Sequence, residues 1–284
     1  MFPTIELLLG SAALSLLAGG TVWMVGRRDP AGSPLLTSSS LVALLALPVL
    51  APLPKYHLEV TALGSPAASP SVSLLSFLAL TWSLGFVLCA LRFALDFRAL
   101  RRWRRTTRPV SEPALRSLLD TCRRQLGIRH EVELRFHPDS SGPSVAGILR
   151  PTIYLPRTSL EWSEQTRRMV LLHELGHVVR RDLWTALAAR LACLLHWFNP
   201  LVWWLRRRLG TQCEFACDTK VIEAGADPAA YLGALCDIAE GGRGPREALA
   251  MAERATLRQR AERLARSPRH KRSLLVGGAL VLTA

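Results

Sequence analysis

No two of the six cysteines form a CxxC pair. Only Cys213 and Cys217, four residues apart, fall close enough to share a helix face; Cys89, Cys122, Cys193 and Cys236 are scattered. Two thiols without further ligands do not make a structural zinc site, so a disulfide framework or zinc ribbon is not expected, and reduced thiols in a cytosolic compartment are. Charge is scarce as well. Charged residues make up 20% of the 284, apolar residues 49%, and the mean hydropathy is +0.19. Soluble domains usually have a negative mean, so membrane segments come first. Acidic residues are fewer than basic ones, 22 against 36, which leaves a net charge of +14. Such an excess fits nucleic acid, anionic lipid, or the retention of cytoplasmic loops, and the position of the charge decides among them. There is no internal repeat and no long low-complexity segment.

The apolar residues fall into runs. Residues 5–25 are long enough to span a bilayer and end at Arg27, Arg28 and Asp29. The cations follow the run instead of preceding it, which disfavours a cleaved signal peptide. A shorter run, 35–54, carries Pro48 and Pro52, and a third covers 71–95. Directly after it comes the densest basic block, Arg98, Arg101, Arg102, Arg104, Arg105 and Arg108. A block that abuts a membrane exit reads as a juxtamembrane anchor before it reads as a DNA-binding arm. With Arg27 and Arg28 it places the N-terminus outside and the chain cytoplasmic from about 96. Residues 96–272 are then the cytoplasmic domain. After Arg269-His270-Lys271-Arg272, the run 273–284 is expected to start a fourth span.

Within 96–272 the periodicity predicts helices over 113–126, Glu164 to about Val179, 182–197 and 201–223. Strands are expected at Val132–Phe136 and Thr152–Pro156, and Asn199-Pro200 breaks the last two helices apart. The apolar stretch 183–205 is interrupted by Arg190, His196, Asn199 and Pro200, so a buried or membrane-apposed hairpin is preferred to another span.

The chemistry concentrates in His173-Glu174-Leu175-Gly176-His177. Histidines four apart on a helix lie one above the other and can share a metal ion. Glu174, beside the first histidine, suits the general base of zinc-dependent hydrolysis. Met169–Leu172 before the motif and Val178-Val179 after it make the helix a buried one. Buried imidazoles and a buried carboxylate need partners, either a metal or ordinary core hydrogen bonds. A third ligand must come from elsewhere. Glu214 and Asp218 share one face of a later helix, where Glu214 can bind zinc and Asp218 can orient a ligand imidazole. Equally, the pair can form surface ion pairs with Arg206–Arg208. His196 is the rival ligand, although its neighbours suit a core histidine.

An ordered set of segments resembles the BlaR/MecR type of membrane zinc metallopeptidase. It comprises Pro143–Pro151 leading to Ile153–Pro156; the histidine motif with Arg181-Asp182-Leu183; His196–Trp203; and Glu214–Asp218. With the spans, the resemblance covers nearly the whole chain. It implies a membrane α-helical protein of three to four spans, joined to a mainly α, α+β gluzincin-like cytoplasmic domain. It implies one Zn2+ held by His173, His177 and Glu214, with Glu174 as base. It also implies a role in regulated proteolysis at the cell membrane. Sensor members of the family continue into an extracellular penicillin-binding domain, which these 284 residues do not contain, so β-lactam sensing by this chain alone is not expected.

A strand expected near 145–150 precedes the zinc helix, and Val145, Gly147 and Ile148 are candidates for holding an extended substrate by strand addition. The expected partners are a polypeptide substrate (a cytosolic repressor or the chain itself), the lipid bilayer, and a second copy in a homodimer. No direct nucleic-acid contact is expected. Two alternatives compete: a non-catalytic membrane scaffold, which the intact Glu174 disfavours, and a membrane-anchored DNA-binding regulator resting on 98–108 alone. The Arg-rich tail at 253–272 reads as a solvated amphipathic helix.

Overall fold

The computed structural model describes residues 3–28, 33–50, 72–137, 142–241 and 257–264. The end of the second apolar run, the residues between it and the third run, and the run 273–284 lie outside them. The described chain is mostly helical, with one small sheet, and it divides into two compact units.

The first unit takes Met1–Trp103 and Thr185–Gln212. It holds α1 (Pro3–Arg28), α2 (Ser33–Leu50) and most of α3 (Val72–Thr106). It also holds α6 (Asp182–Leu195) and the first half of α7 (Pro200–Glu223). Polar side chains tie these helices together. Asn199 caps α7 by accepting from the Leu201 backbone N–H, at 3.0 Å, while its amide donates to Ser11 and Ser15 hydroxyls on α1, both at 3.0 Å. His196 Nε2 donates to the Leu44 carbonyl on α2 at 2.9 Å, and Thr37 donates to Gln212 at 2.8 Å. Each of these groups is buried, so each bond offsets a desolvation cost. The hairpin of α6 and early α7, which sequence assigns to the 96–272 segment, thus clusters with α1–α3. α3 does not stop at 95; it continues through the arginine block to Thr106, because Arg and Leu are good helix formers. Leu80–Thr106 is, among the described residues, the one helical segment long and apolar enough to cross a bilayer.

The second unit takes Arg104–Trp184 and Cys213–Ala284. Its sheet has the order β1 (Arg108–Pro109), β2 (Glu133–His137), β4 (Thr152–Pro156), β3 (Ser144–Ala146). β2 and β4 run parallel, and β1 and β3 pair antiparallel on the two edges. The strand expected near 145–150 is shorter, because Gly147 takes φ +96° and turns the chain. A Cβ there would collide with the Arg150 carbonyl, so only glycine makes this turn. α4 (Pro113–Gln125), α5 (Glu164–Val179) and α8 (Pro228–Gly241) complete the unit with a short helix α9 (257–264). The core joins Leu115 and Leu119 of α4, Leu134, Phe136, Ile153 and Leu155 of the sheet, Leu171, Leu172 and Leu175 of α5, and Tyr231 of α8. Leu264 of α9 is buried in the same core, so the stretch read as a solvated helix has a buried face at 257–264.

Candidate metal centre

α5 starts where Ser163 accepts a hydrogen bond from the Thr166 backbone N–H at 3.0 Å, an ordinary side-chain cap. It ends abruptly. Arg181 adopts φ +58°, a left-handed conformation that costs a non-glycine residue about 1–2 kcal/mol. That reversal starts α6 at Asp182 and sets its carboxylate against His177. The later half of α7 passes close to α5 and reaches the same place, with Cys217 Sγ 3.8 Å from Asp182 Oδ2. Gly176 permits the approach: a Cβ at this position would stand 3.1 Å from Cys217 Sγ.

These placements bring three of the expected residues together. His173 Nε2 lies 3.2 Å from Glu214 Oε2, and His177 Nε2 lies 3.5 Å from Glu214 Oε1. One ligand atom from each of the three residues falls within 4.8 Å of the others. A tetrahedral zinc with ligand bonds of 2.0–2.1 Å separates its ligand atoms by about 3.3 Å, which the two histidine–glutamate separations of 3.2 and 3.5 Å approach. Glu174 is buried one residue from His173; burial raises its pKa, opposed by the two neighbouring imidazoles.

Behind each imidazole stands a carboxylate held by an arginine. His177 Nδ1 donates to Asp182 Oδ2 at 2.9 Å, and Arg180 Nε donates to the same oxygen at 3.2 Å. Burial would raise the Asp182 pKa, but the hydrogen bond from His177 and the charge of Arg180 outweigh it and hold the acid ionised. On the other side, Tyr231 Oη accepts from His173 Nδ1 at 2.9 Å and donates to Asp218 Oδ1 at 2.8 Å. Asp218 Oδ1 also lies 3.3 Å from His173 Nδ1. Arg260 of α9 grips Asp218 with two bonds, Nη2 to Oδ1 at 2.6 Å and Nε to Oδ2 at 2.9 Å. Its Nη1 reaches Glu214 Oε2 at 3.3 Å. With Nδ1 engaged on both rings, both Nε2 atoms are left to face Glu214.

The field at this point favours a cation. Burial disfavours the charged form of His173, yet its bonds to Asp218 and Glu214 dominate and raise its pKa to about 10. Partial burial works against ionisation of Glu214, but the same histidine, then His177 and Arg260, lower its pKa to about 2. Cys217 also lies near, with Sγ 3.4 Å from His177 Nδ1, but burial pushes its thiol far up, so it stays protonated beside a ring nitrogen that Asp182 already holds.

The remaining expected residues are placed as follows. Val145 sits on the edge strand β3, paired with Ile153, and its side chain packs toward the core. Gly147 makes the turn after it. Ile148 lines a cavity of about 240 Å³ beside His177, with Leu149, Val178, Leu183 and Trp184. His196, the rival ligand, belongs to the other unit, bonded to Leu44. Asp182, Tyr231 and Arg260 are the functional candidates that sequence reasoning did not assign. Asp182 had a signal, as the first acid after the motif; the other two had none.

The described fold is mostly helical, and it brings two histidines and a glutamate close enough together that they could hold a metal ion. The chain belongs to the BlaR1 peptidase M56 family, whose model matches residues 56–264. It is similar to the regulatory protein BlaR1 of Bacillus licheniformis, 31% identical over 142 residues, which is 50% of this chain and 24% of that protein. It is also similar to the methicillin resistance mecR1 protein of Staphylococcus aureus strain Mu50, 23% identical over 146 residues, which is 51% of this chain and 25% of that protein. The mecR1 protein of Staphylococcus epidermidis matches to the same extent. The aligned part spans about a quarter of the length of these curated relatives.

Proposed function

We propose that this protein is an integral-membrane zinc endopeptidase, with His173, His177 and Glu214 as ligands and Glu174 as general base. The observation that carries the reading is the convergence of two imidazole Nε2 atoms on one carboxylate, 3.2 and 3.5 Å away, with both Nδ1 atoms already held. Family membership and the similarity to BlaR1 and mecR1 proteins support it. Bound zinc supplies Lewis acidity, which acidifies water and polarises a peptide carbonyl. The chain's own groups do the rest. Asp182 fixes His177, and Tyr231 with Asp218 fixes His173, so neither ring can rotate. Glu174 takes a proton from the attacking water and returns it to the departing amine. Its raised pKa suits a group that must accept a proton and then release it. An extended substrate pairs with the free edge of β3 near Val145 and Gly147, and Ile148 and the neighbouring cavity receive a side chain.

In this reading the domain is gluzincin-like and cytoplasmic, and three or four helices cross the cell membrane, with the N-terminus outside. The exposed apolar side chains of α1–α3, such as Leu17, Val42, Leu80 and Leu91, suit lipid contact. The substrate is a cytosolic regulator or the chain itself, and the role is regulated proteolysis. The test is Glu174→Gln in membranes that contain the full chain and a candidate repressor. Cleavage of repressor or chain by wild type, lost by at least about 100-fold in Glu174→Gln while metal stays bound, is the expected result. Equal cleavage by both proteins refutes the base assignment.

A further inference from the structure

We propose that Arg260 is a positioning residue for the metal centre, so that the ligand set is complete only with α9 docked. This rests on the metal-site reading above.

Every nitrogen of the Arg260 guanidinium is used. Nε and Nη2 bind the two oxygens of Asp218, Nη2 also donates to Tyr231 Oη at 3.2 Å, and Nη1 meets Glu214. Its side chain is only 12% exposed. A charge so buried is costly unless it is fully paired, and here one cation answers two carboxylates on successive turns of α7 and a hydroxyl on α8. The bond pattern sets the Tyr231 hydroxyl. With Arg260 donating to Tyr231 Oη, the phenolic proton turns to Asp218 and the oxygen accepts from His173 Nδ1. That keeps the Nδ1 proton of His173 engaged and leaves Nε2 as the nitrogen that faces Glu214 and the metal site. The Nη1 contact also draws Oε2 of Glu214, the oxygen nearest His173 Nε2, toward the guanidinium. Arg180 holds Asp182 behind His177 in the same way, but from the element next to the motif. Arg260 comes from a helix 83 residues beyond His177, counting from 177 to 260, so the chain segment at 257–264 belongs to the site.

Lysine cannot reproduce the fork, since its ammonium is a point charge. The experiment uses the full chain in detergent, with zinc affinity measured by competition against a chromophoric chelator and the absorption spectrum of the cobalt-substituted protein recorded beside it. Arg260→Ala is expected to weaken zinc binding about 10- to 100-fold. Arg260→Lys recovers part of the loss, and added guanidinium ion recovers part of it in Arg260→Ala. Tyr231→Phe combined with Arg260→Ala costs less than the two losses multiplied, because both act on His173. Zinc affinity and cobalt spectrum unchanged in Arg260→Ala overturn the proposal while leaving the metal site standing. If Arg260→Ala does not fold, Arg260→Lys decides: an altered cobalt spectrum with weaker zinc binding supports it, and wild-type values overturn it. Failure of the wild type to bind zinc removes the metal-site reading and this proposal together.

Discussion

A histidine offers a metal its Nε2 lone pair only if something else takes the proton on Nδ1, and both candidate ligands meet that condition. The two anchors differ. Asp182 touches His177 directly, while Tyr231 stands between His173 and Asp218 at the shorter distances. Because the surrounding carboxylates raise His173 to about 10, its ring carries a second proton at neutral pH, which a metal must displace. The sign follows: protons compete with metal, so apparent zinc affinity rises with pH through the neutral range. At pH 7, binding is expected to release about one proton from His173. Calorimetry in buffers of different ionisation enthalpy measures the number, and a value near zero contradicts the assigned charge state.

At the scale of elements, the site is an encounter between α5 and α7 that Gly176 allows. A larger side chain there pushes on Cys217, which lies between Glu214 and Asp218 and next to Asp218. Gly176→Val is therefore expected to cost about 1–3 kcal/mol of stability by overpacking, and to weaken zinc binding in parallel. Thermal melts with metal titration check both; a destabilised variant with wild-type affinity contradicts the link. Sequence made α5 legible, because apolar residues flank the motif on both sides. It made the Glu214 and Asp218 face legible too, since i,i+4 spacing on a helix is local information. Tyr231 and Arg260 were not legible, for physical reasons. A tyrosine in the apolar helix α8 reads as core, and an arginine among arginines reads as solvated; only the tertiary fold turns them toward Asp218. The short β3 was misjudged in length because a positive-φ glycine inside an apolar stretch leaves no periodicity to read.

For the molecule as a whole, the arginine block and the apolar helices offer two ways to stay at a membrane. At 1.5 Å per residue the 35 residues of α3 measure about 52 Å, more than the hydrocarbon core of a bilayer, so if α3 spans the membrane as proposed it would carry Arg101–Arg105 beyond the apolar layer. Salt distinguishes the two. Surface attraction to anionic lipid is screened at high ionic strength, and buried apolar helices are not. The protein is expected to stay with membranes through a high-salt wash and to need detergent for release. Release by salt alone would leave the arginine block as a surface anchor and remove the spanning helices.

The central claim is the ligand set, and zinc content tests it most directly. Detergent-purified full chain, handled free of contaminating metal and reloaded with zinc, goes to elemental analysis beside Glu214→Ala and Glu174→Ala. The account predicts about one zinc per chain in wild type, as a three-ligand catalytic site holds. It predicts that zinc is lost in Glu214→Ala and kept in Glu174→Ala. No zinc in the wild type, or zinc retained in full by Glu214→Ala, would contradict it.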